Sequence, residues 1–124
     1  MNIVDSSGWL EYFSSGSNAA RFAEPLQDTA ALLVPVITIY EVFKVVLRER
    51  GEHPALQAIT AMQKGTVIDV TPRIALAAAK ISLERTLPMA DSLILATGQL
   101  HGAKIWTQDA HFAGLEGVRF FEKK

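Results

Sequence analysis

Leu32-Leu33-Val34-Pro35-Val36-Ile37-Thr38-Ile39-Tyr40-Glu41-Val42-Phe43-Lys44-Val45-Val46-Leu47 changes its hydrophobic period within a few residues. Leu32-Leu33-Val34 is a short unbroken apolar run, as expected of a strand covered on both faces. Pro35 has no amide hydrogen for a sheet ladder and marks the strand's end. Beyond it, Ile39, Val42, Phe43, Val46 and Leu47 recur at i, i+3, i+4, i+7 and i+8. That spacing predicts a helix with one buried face, ending near Gly51. A buried strand feeding an amphipathic helix is the repeating step of an α/β fold.

The step recurs in both directions from this stretch. Ile3-Val4 reads as a strand, and Ser6 or Ser7 as the cap of a helix reaching Phe13. Ser14-Ser15-Gly16-Ser17 links it to a second short helix over 18–24, weakened by Pro25. Pro54 opens a helix carrying Leu56, Ile59 and Met62, with Gly65 as its stop. Val67-Ile68-Asp69-Val70 reads as a strand. Thr71-Pro72 pairs an N-cap with a proline at the first helical position, opening an alanine-rich helix that runs to about Arg85. Pro88 opens another, through Leu93, Ile94, Ala96, Thr97 and Leu100, stopped by Gly102. It is apolar on most sides and therefore central. Lys104-Ile105-Trp106-Thr107 and Arg119-Phe120-Phe121 are the last strands. The alternation argues for an α/β fold with a parallel sheet covered on both faces. A chain of 124 residues implies one domain over 1–124.

Composition narrows the chemistry. Hydrophobic residues make up 49% of the chain, enough for a core, and cysteine is absent. Disulfides and thiolate metal sites are excluded, and a reducing compartment is consistent with that absence. Any metal must be held by oxygen or by the three histidines, and oxygen suits hard ions such as Mg²⁺ and Mn²⁺. The longest apolar stretch, 30–37, contains Pro35 and falls short of the ~20 residues a membrane helix needs. No signal peptide is visible, so a soluble, cytoplasmic protein is expected. A net charge of −1 is not the profile of a protein that binds nucleic acid mainly by counterion release. Nucleic-acid contact would rely on local basic patches and metal ions.

Four carboxylates stand at joints between elements. Asp5 and Asp109 follow strand-like runs. Glu41 and Asp91 sit near the start of helices. Each has an ordinary structural reading. Asp5 suits an N-cap, although Ser6 and Ser7 can take that role and free it. Thr38-x-x-Glu41 matches a capping box. Asp91 in a first helical turn is favoured by the helix dipole, and Asp109 suits a turn. Their joint placement adds a second reading. In an open α/β sheet, strand C-termini and helix N-termini meet along one edge, where ligands bind. Four carboxylates gathered there repel one another unless cations relieve them, and carboxylate-rich sites can bridge two divalent ions.

In order and spacing, Val4-Asp5-Ser6-Ser7, Ile37-Thr38-x-x-Glu41, Leu87-Pro88-x-x-Asp91-Ser92-Leu93-Ile94 and His101-Gly102-Ala103-x-Ile105-x-Thr107-x-Asp109-x-x-Phe112 resemble the PIN-domain nucleases. Among these they resemble the VapC-type toxins of toxin–antitoxin pairs. The resemblance spans residues 3 to about 112. It implies a metal-dependent endoribonuclease with a parallel five-stranded sheet between helices, usually homodimeric. It carries over Asp5, Glu41, Asp91 and Asp109 as the acidic cluster around Mg²⁺ or Mn²⁺, with Ser6 or Thr107 in support. The implied partners are an RNA substrate and a small VapB-like antitoxin whose tail occupies the active-site groove. One alternative is a non-catalytic, antitoxin-binding PIN module that keeps the acids and cleaves nothing. Another is a phospho-acceptor receiver domain built on Asp69 and Thr107. It is disfavoured because no second acid adjoins Asp5 and because Asp69 falls inside a strand.

Lys44 and Arg48 share a helical face with Glu41. They serve either as a solvated face, with a Glu41–Lys44 pair, or as contacts for RNA phosphates. Arg50, Lys80 and Arg85 are weaker candidates for such contacts. His111, close to Asp109, reads either as a ligand or, by preference, as an exposed loop residue; His53 reads as a helix-start residue, and His101 as a cation favoured at a helix end. Trp9 and Trp106 read as packing residues.

Overall fold

Five strands form, the inner ones from apolar runs buried on both faces and the edge ones partly exposed: β1 (Asn2–Val4), β2 (Leu32–Pro35), β3 (Thr66–Ile68), β4 (Lys104–Thr107) and β5 (Val118–Phe120). The computed structural model that places them describes residues 1–124. All neighbours pair in parallel, in the order β3-β2-β1-β4-β5, with Ile3 opposite Leu33 on one side and Ile105 on the other. Six helices connect them: α1 (Ser6–Phe13), α2 (Ala19–Gln27), α3 (Val36–Arg50), α4 (Glu52–Met62), α5 (Pro72–Arg85) and α6 (Met89–His101). Short 3₁₀ turns occupy Thr29–Ala31 and Ala110–Phe112.

The period of two along the strands divides the interior into two cores. Ile3, Leu33 and Ile105 face Ile74, Ala78 and Ile81 of α5 and Ile94 and Leu95 of α6. Val4, Leu32, Val34 and Trp106 face Trp9 of α1, Phe22 of α2, Val42 and Val46 of α3, and Ala55 and Met62 of α4. The result is a three-layer α/β sandwich. Phe22, Ile3, Leu95 and Met62 are fully buried, and each such side chain contributes roughly 1.5–3 kcal/mol. Gly8 allows α1 to sit hard against the sheet, since a Cβ there would lie 2.5 Å from Val4 Cγ1 and 2.8 Å from the Phe22 ring. No helix is long and apolar enough to cross a membrane.

The chain builds β1, β2 and β3 outward on one side, then crosses to build β4 and β5 on the other. The switch point therefore lies between β1 and β4, and the crevice beyond their C-terminal ends is where open α/β sheets bind ligands. Because α6 runs down to β4, its first turn stands at that same edge.

Several local expectations change. The cap of α1 is Asp5 itself, whose Oδ1 accepts the Gly8 amide at 3.1 Å; Ser6 and Ser7 lie inside the helix. α2 continues through Pro25 to Gln27, because proline removes a single helical hydrogen bond and this ring is buried. α3 begins at Val36, so Thr38 lies inside it and donates to the Pro35 carbonyl at 2.7 Å; no capping box forms. Leu47 is exposed, since Thr38, Val42 and Val46 carry the buried stripe. β3 ends at Ile68, which puts Asp69 just past a strand end rather than inside one. The receiver reading still fails. Its sheet order would be 2-1-3-4-5, and Asp69 here follows an edge strand, separated from β1 by β2.

Candidate active site

Asp5 follows the last residue of the central strand and is 2% exposed. Each carboxylate oxygen is held. Oδ1 accepts Ser7 Oγ at 2.7 Å and the Gly8 amide at 3.1 Å, and Oδ2 accepts Thr107 Oγ1 at 2.8 Å. Thr107 Oγ1 in turn accepts the Asp109 amide at 2.9 Å, which joins the ends of β1 and β4. Burial pushes the Asp5 carboxyl up to about 7; Asp109 pushes the same way, while the bonds from Ser7, Thr107 and Gly8 oppose it.

Asp91 lies in the first turn of α6 and is 8% exposed. Burial raises its pKa, and the negative charges of Asp109 and Glu41 add to that, while His111 opposes it. Asp109 caps the 3₁₀ turn after β4 by accepting the His111 amide at 2.9 Å. Glu41, on α3 and partly buried, accepts Ser6 Oγ at 2.6 Å. Asp109 thus acts electrostatically on both Asp5 and Asp91, and Glu41 acts on Asp91. Asp91 and Asp109, far apart in sequence, come together, and Asp5 and Glu41 lie near enough to be coupled to them electrostatically.

Two residues join the site beyond the four acids: His111, for which the sequence favours an exposed loop over a ligand, and Ser7, which it offers as a helix cap. His111 is more than half exposed, yet its Nδ1 lies 3.0 Å from Asp91 Oδ2 and 3.3 Å from Asp109 Oδ1. With Nδ1 protonated, the ring donates to these carboxylates and partly answers their charge. Its place two residues after Asp109, in a tight turn, was the available signal. Ser7 binds Asp5 directly, whereas Ser6 reaches Glu41. One donor atom from each of Asp91, Asp109 and His111 lies within 4.8 Å of the others. A donor set dominated by carboxylate oxygen fits Mg²⁺ or Mn²⁺ better than softer ions.

Lys44 and Arg48 remain exposed on α3. Lys44 lies 5.7 Å over the Tyr40 ring, and Arg48 meets Glu49 at 3.4 Å; Glu41 pairs with neither. His53 is exposed at the start of α4 and His101 closes α6. Trp9 and Trp106 are buried packing residues, with Trp106 Nε1 donating to Asn2 Oδ1 at 2.9 Å.

A family model described as PIN domain matches residues 3–118. Among solved structures, the chain is similar to a toxin–antitoxin complex from Klebsiella pneumoniae, at 25% identity and a TM-score of 0.84, covering 98% of this chain and 99% of that one. It is similar to VapBC2 from Rickettsia felis bound to a promoter DNA fragment, at 11% identity and a TM-score of 0.75, covering 98% and 97%. It is also similar to Mycobacterium tuberculosis VapC20, a sarcin–ricin loop cleaving toxin, at 19% identity and a TM-score of 0.74, covering 96% and 99%. No curated protein sequence matches the chain.

Proposed function

The chain belongs to the PIN domain family, and from that premise we propose that residues 1–124 form a metal-dependent endoribonuclease domain, the VapC-type toxin of a toxin–antitoxin pair. The observation that carries this reading is the convergence of Asp91, Asp109 and His111 donor atoms within 4.8 Å, with Asp5 and Glu41 acting on the same carboxylates. Burial and neighbouring negative charge raise the pKa values of Asp5 and Asp91, and a cation beside them would favour their ionised forms.

In this reading Asp5, Asp91 and Asp109 hold Mg²⁺ or Mn²⁺ together with Glu41. The ion would supply a Lewis acid for the scissile phosphate and lower the pKa of an attacking water. Ser7, Thr107 and the Gly8 amide keep the Asp5 carboxylate in one orientation. Ser6 holds Glu41 by Oε1, which leaves Oε2 to accept a proton. Lys44 and Arg48, exposed on the same helix, would contact RNA phosphates.

The partner in this reading is a small VapB-like antitoxin. A groove between α1, α3 and α4 opens beside Ser7 and Gln108, lined by Leu10, Phe13, Val46 and Arg50. Its lining also carries Lys123 and the acids Glu11 and Glu49, so it offers an antitoxin tail a partly apolar trough with charges of both signs. A cytoplasmic homodimer completes the reading. The second copy would cover Leu76 and Leu83 of α5 and Met89 of α6, which are 71%, 86% and 72% exposed.

The test is cleavage of a mixed cellular RNA pool by the purified chain with Mg²⁺ or Mn²⁺, beside EDTA and Asp91→Asn. Discrete fragments that need both the metal and Asp91 are expected. A folded, antitoxin-free chain that cleaves nothing under either metal would instead be a non-catalytic antitoxin-binding module.

A further inference from the structure

Asn18 stands at the N-cap of α2, where an asparagine side chain ordinarily accepts an amide of the first helical turn. Here it makes no such bond. The side chain is turned the other way, and Nδ2 donates to Gln108 Oε1 at 3.0 Å and to the Glu122 carbonyl at 2.9 Å. Oδ1 is left buried with no partner. Asn18 is 1% exposed. It thus forgoes a cap and leaves a polar atom orphaned, both unfavourable, and gains only its two bonds. Departures of this kind from local rules gather where function imposes a geometry.

Gln108 lies between two residues of the acidic pocket. Thr107 before it holds Asp5, and Asp109 after it is one of the clustered acids. Gln108's own amide donates to Ser7 Oγ at 3.3 Å, and Ser7 donates to Asp5. Gln108 is 8% exposed, and its side chain has Asn18 as its hydrogen-bond partner. The segment after β5 fastens the same turn from outside. The Phe121 amide donates to the Thr107 carbonyl at 2.9 Å, and the Phe121 ring packs edge-on against Phe22 at 5.6 Å. That segment lies beyond residue 118, the last residue matched by the family model.

We propose that Asn18 is a positioning residue for the acidic pocket, clamping Gln108 to the segment after β5 so that Thr107 and Asp109 keep their places on either side of it. Its influence on cleavage rests on the nuclease reading above; its influence on cation binding does not. Groups that orient metal-binding side chains typically account for 10–100-fold in affinity or activity. Asn18 acts through one intervening residue, so about tenfold is expected.

The test uses Asn18→Ala, Gln108→Met and the double variant in the full chain. Mn²⁺ affinity is measured by calorimetric titration, kcat and KM on RNA, and Tm in EDTA. Each single variant is expected to weaken Mn²⁺ binding about tenfold and to lower kcat about tenfold, with KM within about twofold. The double variant should lose no more than the worse single variant, because both break one link. Should Asn18→Ala fail to fold, Gln108→Met breaks the same contact and leaves Asn18 bonded to Glu122. Wild-type Mn²⁺ affinity in both single variants, or losses that multiply in the double, would overturn the proposal, as would a wild type that binds no Mn²⁺. A wild type that binds Mn²⁺ and cleaves nothing would defeat the nuclease reading alone, and the titrations would still decide the role of Asn18.

Discussion

Asp5 illustrates how a single residue carries opposing demands. Its carboxylate is buried behind the central strand, and its raised pKa means that the folded chain binds a proton more tightly than the unfolded chain. In the absence of metal, stability should therefore fall as pH rises from the unfolded value of 3.8 to about 7, and level off above that. The full swing is at most about 4 kcal/mol, from the shift between 3.8 and about 7. Asp5→Asn removes the charge and keeps the shape. In EDTA it should melt above the wild type at about pH 8, by roughly 5–10 °C, with the gap closing near pH 5 where the native carboxyl is already protonated. An Asn variant that melts below the wild type at every pH would show that hydrogen bonding, not desolvation, governs the site. Asp91→Asn should behave alike in direction and should lose Mn²⁺ binding.

At the scale of elements, the acids are aimed by where helices begin. The capping pattern at Thr38 and Glu41 did not form because α3 starts three residues earlier, which sets Glu41 free to meet Ser6 of α1. α1 depends on Gly8, which both donates to Asp5 and leaves room for Val4 and Phe22. Gly8→Ala would push against a rigid β-strand residue and an aromatic ring. The expected penalty is ~1–3 kcal/mol, seen as a Tm lower by roughly 5–10 °C, together with weaker Mn²⁺ binding as the Asp5 cap is displaced. A Gly8→Ala chain with native Tm and native Mn²⁺ affinity would mean that α1 can shift without disturbing the acid. On α3, the double change Lys44→Ala and Arg48→Ala should weaken RNA binding and reduce its salt dependence by about two counterions. An unchanged salt slope would exclude these two cations from phosphate contact.

Across the whole molecule, the exposed apolar side chains on α5 and α6 lie on the layer opposite α1–α4. The antitoxin groove and the homodimer face proposed above are therefore on different layers and need not compete. Leu83→Glu should convert a dimer in sedimentation equilibrium to a 13.5 kDa monomer while RNA cleavage by the separated chain is measured alongside. A wild type that is monomeric at tens of micromolar removes the homodimer from the proposal.

Much of this protein was legible along the chain. Period changes at Leu32–Pro35 and Val36–Arg50 announced a strand and a helix, and Thr71-Pro72 and Gly102 marked the ends of two more helices. These are local signals, set by backbone sterics and by which side chains a single element must bury. The four acids were also legible as a pattern of positions. The order of the strands was not, because pairing is a long-range choice among runs of similar hydrophobicity. Nor were the reach of Ser7 and Thr107 to the Asp5 carboxylate, the contact of His111 with Asp91, or the diversion of Asn18 from its helix to Gln108. Each joins residues up to 102 apart or chooses between two local hydrogen bonds of similar strength. Only the packed sheet, by fixing which strand ends are neighbours, decides such choices.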